Sequence, residues 1–408
     1  MEKISQNRRE FLKTGLTGMV GAAVALNRTG KADGAKPEVK EPIRRKLGKT
    51  GIKLPVVSMG TGDAQDPALI KAALDAGIVL LATSQYYGQG QNERMIGQAV
   101  KGRKRDSFMV MTSAMPEGID FKAGLFTEAS KAEPFLEKFE GSLERLQMEY
   151  VDIFLLPFVA KRESVFFEPL LKAMEQIKKQ GKARFIGIAT HSYEAEAIRA
   201  AVETKVYDVV MTAYNFRRKN ILEIADAVRF AAGAGMGIVA MKTMAGAFWD
   251  KEKTKPINSK AALKWVLQDK NVHTAVPGLT TFEQLADDMT VVNDLSLSEE
   301  EKLDLQLTSA DPPDGPYCQQ CGECVSQCRY GLDIPTFMRG HMYAYGYGNL
   351  ERARETLSLA VGDDAACSRC ASCSVQCAMR SDIKRKMLDM ARLEINYSAA
   401  SSGVLQEN

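Results

Sequence analysis

Between Arg44 and about Ala310 the chain alternates two patterns. Short, mostly apolar runs begin near Val56, Val79, Phe108, Val151, Phe185, Val209, Gly237 and His273. Runs of that kind suit strands buried on both faces. The longer stretches between them carry apolar residues at helical spacing. Glu168 to Lys179, for example, places Leu170, Leu171, Met174 and Ile177 on one face and stops before Gly181, a residue type that ends helices. Eight strand–helix units over about 250 residues predict an α/β fold, the (β/α)8 or TIM barrel. An open doubly wound sheet is the competing arrangement, but it would normally begin with a Gly-rich turn. Here Val56 is followed only by Met59-Gly60-Thr61-Gly62. Ahead of the first strand, Arg45 to Leu54 reads as a hairpin with Gly48 and Gly51 at its turn, placed to plug the bottom of the barrel.

The pattern changes at both ends. Asn7-Arg8-Arg9-Glu10-Phe11-Leu12-Lys13 precedes a mildly apolar run from Gly15 to Leu26. That run is too short to span a bilayer, which takes about 20 residues, so it reads as a signal peptide with small residues around Ala23-Val24-Ala25. The paired arginines resemble the twin-arginine signal, which implies export of an already folded protein to the periplasm or another extracytoplasmic space. The alternative is an uncleaved basic N-terminus. Residues 31–43 read as a linker. After the barrel, Asp333-Ile334-Pro335 predicts a helix start and Leu350 to Ala360 a second helix. The expected organisation is a signal over 1–30, a linker over 31–43, a barrel over 44–310, a small α-helical domain over 311–396 and a disordered tail over 397–408.

Composition narrows the function. With 54 basic against 51 acidic residues the formal charge is only +3, which gives no electrostatic reason to expect nucleic acid. All eight cysteines fall between Cys318 and Cys377, which reads as a metal segment on a cysteine-free body. They form the run Cys318-x2-Cys321-x2-Cys324-x3-Cys328 and repeat it as Cys367-x2-Cys370-x2-Cys373-x3-Cys377. This is the bacterial ferredoxin spacing, in which three thiolates hold one cluster and the fourth commonly ligates the other. On that pattern Cys318, Cys321, Cys324 and Cys377 hold one [4Fe–4S] cluster, and Cys367, Cys370, Cys373 and Cys328 the second. The proline that usually follows the fourth cysteine is replaced by Arg329 and Ala378. Zinc on four cysteines is the alternative.

Leu47-Gly48-Lys49-Thr50-Gly51, Tyr87-Gly88 with Asn92-Glu93, Val151-Asp152-Ile153-Phe154, Gly181 to Gly187, Tyr214-Asn215 and Pro277-Gly278 occur in the order and spacing of one family. The barrel segment resembles the aldo/keto reductases, and cysteine-rich tails of this type occur on one branch of that family. The resemblance implies NADPH across the C-terminal mouth of the barrel, giving hydride to a carbonyl. It also implies a Tyr proton donor helped by an Asp–Lys pair with a His nearby. The Tyr maps to Tyr87. The other three positions carry Ala82, Ser113 and Pro157, which can neither titrate in that role nor supply a positive charge. Tyr214 matches the aromatic residue that stacks on the nicotinamide, and Gly278 follows the matching Pro277. The nicotinamide-amide positions carry Ala189, Thr190 and Met211, and the position near the adenine carries Asp288.

The expected mouth is still polar, with Asp63, Tyr86, Tyr87, Thr112, Ser113, Thr190, His191, Asn215 and Lys242 at strand ends. Tyr87, Lys242 and His191 are the candidate catalytic residues, and Tyr214 and Gly278 the candidate cofactor contacts. His273 reads as structural and His341 as a helix residue of the tail. These features lead first to an exported iron–sulfur oxidoreductase acting on a small-molecule substrate or redox partner protein. The alternatives are a non-catalytic electron-transfer or binding subunit and an NADPH-dependent carbonyl reductase with relocated groups. No transmembrane segment is expected in the mature chain.

Overall fold

The computed structural model describes residues 41–250, 253–307, 317–360, 366–370 and 372–392. The expected signal, most of the expected linker and the expected disordered tail lie outside the described residues. Ile43, at the end of that linker, already belongs to the folded unit, because its N–H donates to the Val292 carbonyl at 2.8 Å.

The chain opens with the antiparallel hairpin β1 (Arg44–Lys46) and β2 (Lys53–Pro55). Eight parallel strands follow: β3 (Met59–Gly60), β4 (Leu80–Ala82), β5 (Met109–Ser113), β8 (Val151–Leu156), β9 (Ala183–Thr190), β10 (Val209–Ala213), β11 (Gly237–Met241) and β12 (Thr274–Ala275). They are hydrogen-bonded in that order, and bridges Val57–Ala275 and Gly60–Gly278 join the first to the last, closing the barrel. Each strand begins within a few residues of its expected start. A small hairpin absent from the sequence reading, β6 (Ile119–Asp120) with β7 (Leu125–Phe126), lies in the connection after β5.

Two apolar layers hold the barrel. Leu80, Met111, Ile153, Leu155, Val209 and Val239 fill its interior, and Leu47, Ile52 and Leu54 of the hairpin join them. The hairpin is therefore the plug its sequence suggested, pinned by Lys49 N–H donating to the Gly235 carbonyl at 2.7 Å. Outside the strands, helices such as Glu168–Lys179 bury Leu170, Met174 and Ile177. The Val-Asp-Ile-Phe motif contributes a buried carboxylate. Asp152 accepts from Arg184 at 2.8 Å, from Arg105 at 2.7 Å and from the Val110 amide at 2.9 Å, so its charge is fully matched.

The tail packs as a second, helical unit. Ile334–His341 begins at Asp333, whose side chain accepts from the Thr336 amide, and Leu350–Leu357 is capped by Asn349. Between them Met342–Gly346 forms a π-helical turn. Ile383–Ala391 packs across the first of these helices, and Phe337, Met387 and Met390 form the small core. No helix among the described residues is long and apolar enough to cross a membrane. Leu47 is fully buried at the barrel floor, so Leu47→Ala is expected to cost about 2–5 kcal/mol in denaturant unfolding.

Candidate active site at the barrel mouth

The C-terminal strand ends and the tail enclose one cavity of about 1040 Å³. The barrel supplies Asp63, Tyr86, Tyr87, Ser113, His191 and Lys242, and the tail supplies Cys318, Arg339, Tyr343, Tyr347 and Arg352. Asn215 and Gly278 also line it. Thr112 and Thr190 do not: Thr112 donates to Glu93 at 2.6 Å and Thr190 to the Ser192 carbonyl at 2.9 Å. The Asn92-Glu93 pair is structural. Asn92 accepts from Thr61 and Thr83, both at 2.7 Å, and Glu93 pairs with Arg145 at 2.7 Å, so both side chains tie strand ends together beneath the mouth.

Tyr87 sits where the sequence placed it, in space left by Gly62, whose missing Cβ would lie 2.9 Å from its ring. Its ring meets Tyr86 edge-on, with centroids 4.7 Å apart, and Arg352 lies 4.1 Å above it. Burial first, and then Tyr86, raise its phenol well above the ordinary value, although Arg352 opposes them. The expected proton donor is therefore a weaker acid than a free tyrosine. Tyr214 is a clearer correction, because it does not line the cavity. Its side chain is buried beside Trp265 with ring centroids 5.8 Å apart, and its hydroxyl donates to Asp269 at 2.8 Å. Motif matching located the residue but carried no information about which way its ring turns.

His191 and Lys242 are both at the mouth. Burial lowers the His191 pKa well below the ordinary value, helped by Lys242, Arg339, Arg218 and Arg352, so the imidazole is neutral. Its ring stacks on Phe158 at 5.9 Å. Lys242 has a left-handed backbone at φ +57° and donates to the Tyr343 hydroxyl at 3.2 Å. Arg218 holds the entry of the tail: it pairs with Glu194 and donates to the Gln319 carbonyl. His273 is structural, accepting from the Ile238 amide at 2.8 Å. His341 stacks on Tyr345, with ring centroids 4.7 Å apart. Asp288 lies buried outside the cavity, and burial pushes it up to about 7.

In the tail all eight cysteines are free thiols. As they stand, no group of three or more His, Cys, Asp or Glu among the described residues could hold a metal ion. Cys328, Cys367, Cys370 and Cys373 nonetheless line one small cavity with Leu332, Ile334 and Met387.

Residues 58–261, half of the chain, match the aldo/keto reductase family. The chain belongs to that family. It is 26% identical over 293 residues to L-galactose dehydrogenase of Arabidopsis thaliana, covering 62% of this chain and 88% of that protein. It is 35% identical over 137 residues to aldo-keto reductase YhdN of Bacillus subtilis, covering 33% of this chain and 40% of that protein. Among solved structures, the holo form of aldo-keto reductase AKR11C1 from Bacillus halodurans shares the fold with a TM-score of 0.52 at 20% identity, over 66% of this chain and 97% of that one. The thermostable aldo-keto reductase Tm1743 does so with a TM-score of 0.52 at 23% identity, over 65% and 99%.

As an aldo/keto reductase, this barrel presents Ala82, Ser113 and Pro157 to the cavity beside Tyr87, and Ser113 donates only to Ser84, at 2.7 Å. Its cationic groups instead come from Lys242 and Arg218 of the barrel and from Arg339 and Arg352 of the tail. Sequence reading missed Tyr343, Arg339 and Arg352, because no spacing rule links a tail helix to a strand end about a hundred or more residues away along the chain. A pH test follows from His191. Its folded pKa lies below the unfolded value of about 6.5, so below that pH the unfolded chain binds a proton that the folded chain does not, and stability is lost. His191→Asn is therefore expected to gain stability relative to the unmutated chain as pH falls from 6.5 to 5, by at most about 1.4 kcal/mol per pH unit. Paired denaturant curves measure that difference and cancel opposing groups such as Asp288.

Proposed function

We propose that the chain is an oxidoreductase acting on a small polar molecule in the mouth cavity, with two [4Fe–4S] clusters on its eight cysteines and a redox protein as partner. One observation carries this reading: Cys318, from the first cysteine motif, lines the same cavity as the strand ends. A cluster on Cys318, Cys321, Cys324 and Cys377 would thus adjoin the ligand. The second set, Cys367, Cys370, Cys373 and Cys328, is the foursome that shares the small cavity, with Cys328 drawn from the other motif.

The thiols do not converge on a metal position as they stand, but the chemistry of the donor set suits such groups. All eight donors are thiols, and Cys318, Cys324, Cys328, Cys367 and Cys377 pack in or against the apolar core of the tail. Amides of Gln320 and Met379 donate to the sulfurs of Cys318 and Cys377 at 3.3 and 3.4 Å, and Arg329 reaches Cys370 at 3.5 Å. Donors of this kind stabilise negative sulfur and tune potential. When bound, clusters of this type supply one-electron transfer. The barrel residues would then hold and orient the ligand.

A nicotinamide cofactor held in the family's manner fits less well. Ala189 and Met211 line the floor where amide-binding side chains are expected, and the rim from Gly278 to Gln284 has Glu283 as its sole ionisable side chain. No step is assigned to that cofactor. Export in the folded state is supported by Arg8-Arg9-Glu10-Phe11-Leu12-Lys13.

Anaerobically prepared full-length protein is expected to be brown, with about eight iron and eight sulfide per chain. Cys328→Ser should lose about half of each. Colourless protein holding zinc would overturn the reading. Replacing Arg8 and Arg9 with lysine should leave the protein in the cytoplasm, which fractionation and immunoblotting would show.

A further inference from the structure

We propose that Tyr343, contributed by the tail, exchanges a proton with an oxygen of the molecule bound at the barrel mouth, with Lys242 holding the phenolate. The inference rests on the reading of this cavity as an oxidoreductase site. Tyr343 occupies the π-helical turn between the two capped tail helices, a backbone form often found at functional sites. Its hydroxyl is 3.2 Å from the ammonium of Lys242, a left-handed residue directly after β11. Strain of that kind persists where surrounding structure enforces it.

Charged groups from four elements face this phenol. Lys242 comes from the end of β11, Arg352 and Arg339 from the tail helices, and Asp63 from the loop after β3. Tyr347 lies at 6.0 Å between ring centroids. Burial pushes Tyr343 up, as it does Tyr87, and Asp63 adds to that. Lys242, Arg352 and Arg339 outweigh both and draw Tyr343 down to about 8. Tyr87 lines the same cavity under the same Arg352 but has no ammonium on its hydroxyl, and it moves the opposite way. A proton-transfer group works best when its pKa lies near the working pH. Of the two phenols, only the tail's meets that condition.

The step moves a proton and no electrons. The Tyr343 Oη–H bond breaks as an O–H bond forms on an oxyanion of the ligand. The negative charge passes to the phenolate beside Lys242, and solvent returns the proton. The reverse step deprotonates a ligand hydroxyl.

The test uses the full-length chain and the near-ultraviolet phenolate band, read as a difference spectrum against neutral pH. One tyrosine should ionise near pH 8. Tyr343→Phe, which keeps the ring packing, should delete that step, and Lys242→Met should move it up by a unit or more, on the order of a tenfold change. With any substrate turned over, Tyr343→Phe should lower kcat by about 10²–10⁴-fold with little change in KM. A low-pH step that survives Tyr343→Phe, or no tyrosine ionising below about 9.5, would overturn the proposal. Iron content is read separately, so zinc-loaded protein that keeps the Tyr343 step would count against the clusters and not against this residue.

Discussion

The described structure turns on one buried guanidinium. Arg352 is 8% exposed and lies over three tyrosine rings at once, at 4.1 Å from Tyr87, 5.1 Å from Tyr86 and 5.6 Å from Tyr343. Its only ion pair among the described residues is to Glu355, at 3.1 Å. A charge taken that far from water must be matched closely, and stacked aromatic faces do so for a planar guanidinium better than for an ammonium. Two of those rings belong to the barrel and one to the tail, so the interaction joins the two units. It fixes the register in which everything else meets. Arg218 reinforces it by holding the carbonyl of Gln319, inside the first cysteine motif.

That register explains why losing the family's charged strand-end residues leaves no inert shell. With Ala82, Ser113 and Pro157 at those ends, the barrel alone offers a weakly polar floor. Docking of the tail brings Arg339 and Arg352 to the cavity, and their influence reaches His191, whose imidazole they help keep neutral. The mouth thus sets the cations Lys242, Arg339 and Arg352 around the Tyr343 phenol, with Asp63 among the carboxylates that also line it and a neutral imidazole at His191. Such a chamber suits a ligand that carries or develops negative charge on oxygen.

Much of this was legible in the order of residues. The strands announced themselves as apolar runs because parallel strands buried on both faces can carry little else. The hairpin plug was visible in Gly48 and Gly51, and the tail helices in Asp333 and Pro335. Three features were hidden. Thr112 and Tyr214 lie at strand ends but turn toward Glu93 and Asp269, a choice set by packing against outer helices and not by strand periodicity. The β6–β7 hairpin is only two residues per strand and has no alternation long enough to detect. Tyr343 and Arg352 read locally as ordinary residues of a helical segment, since their role depends on how that segment lands on another domain.

In most enzymes built on this barrel plan, the walls around the ligand come from the loops that follow each strand. Here a substantial part of the wall is an appended segment with its own core, in which Phe337, Met387 and Met390 pack independently of the strands. Mutations that reshape the chamber can therefore fall in a module whose apolar core is separate from that of the barrel. Selection for a new ligand would act largely on this one stretch of gene, so the chamber is positioned to diversify while the scaffold beneath it stays unchanged.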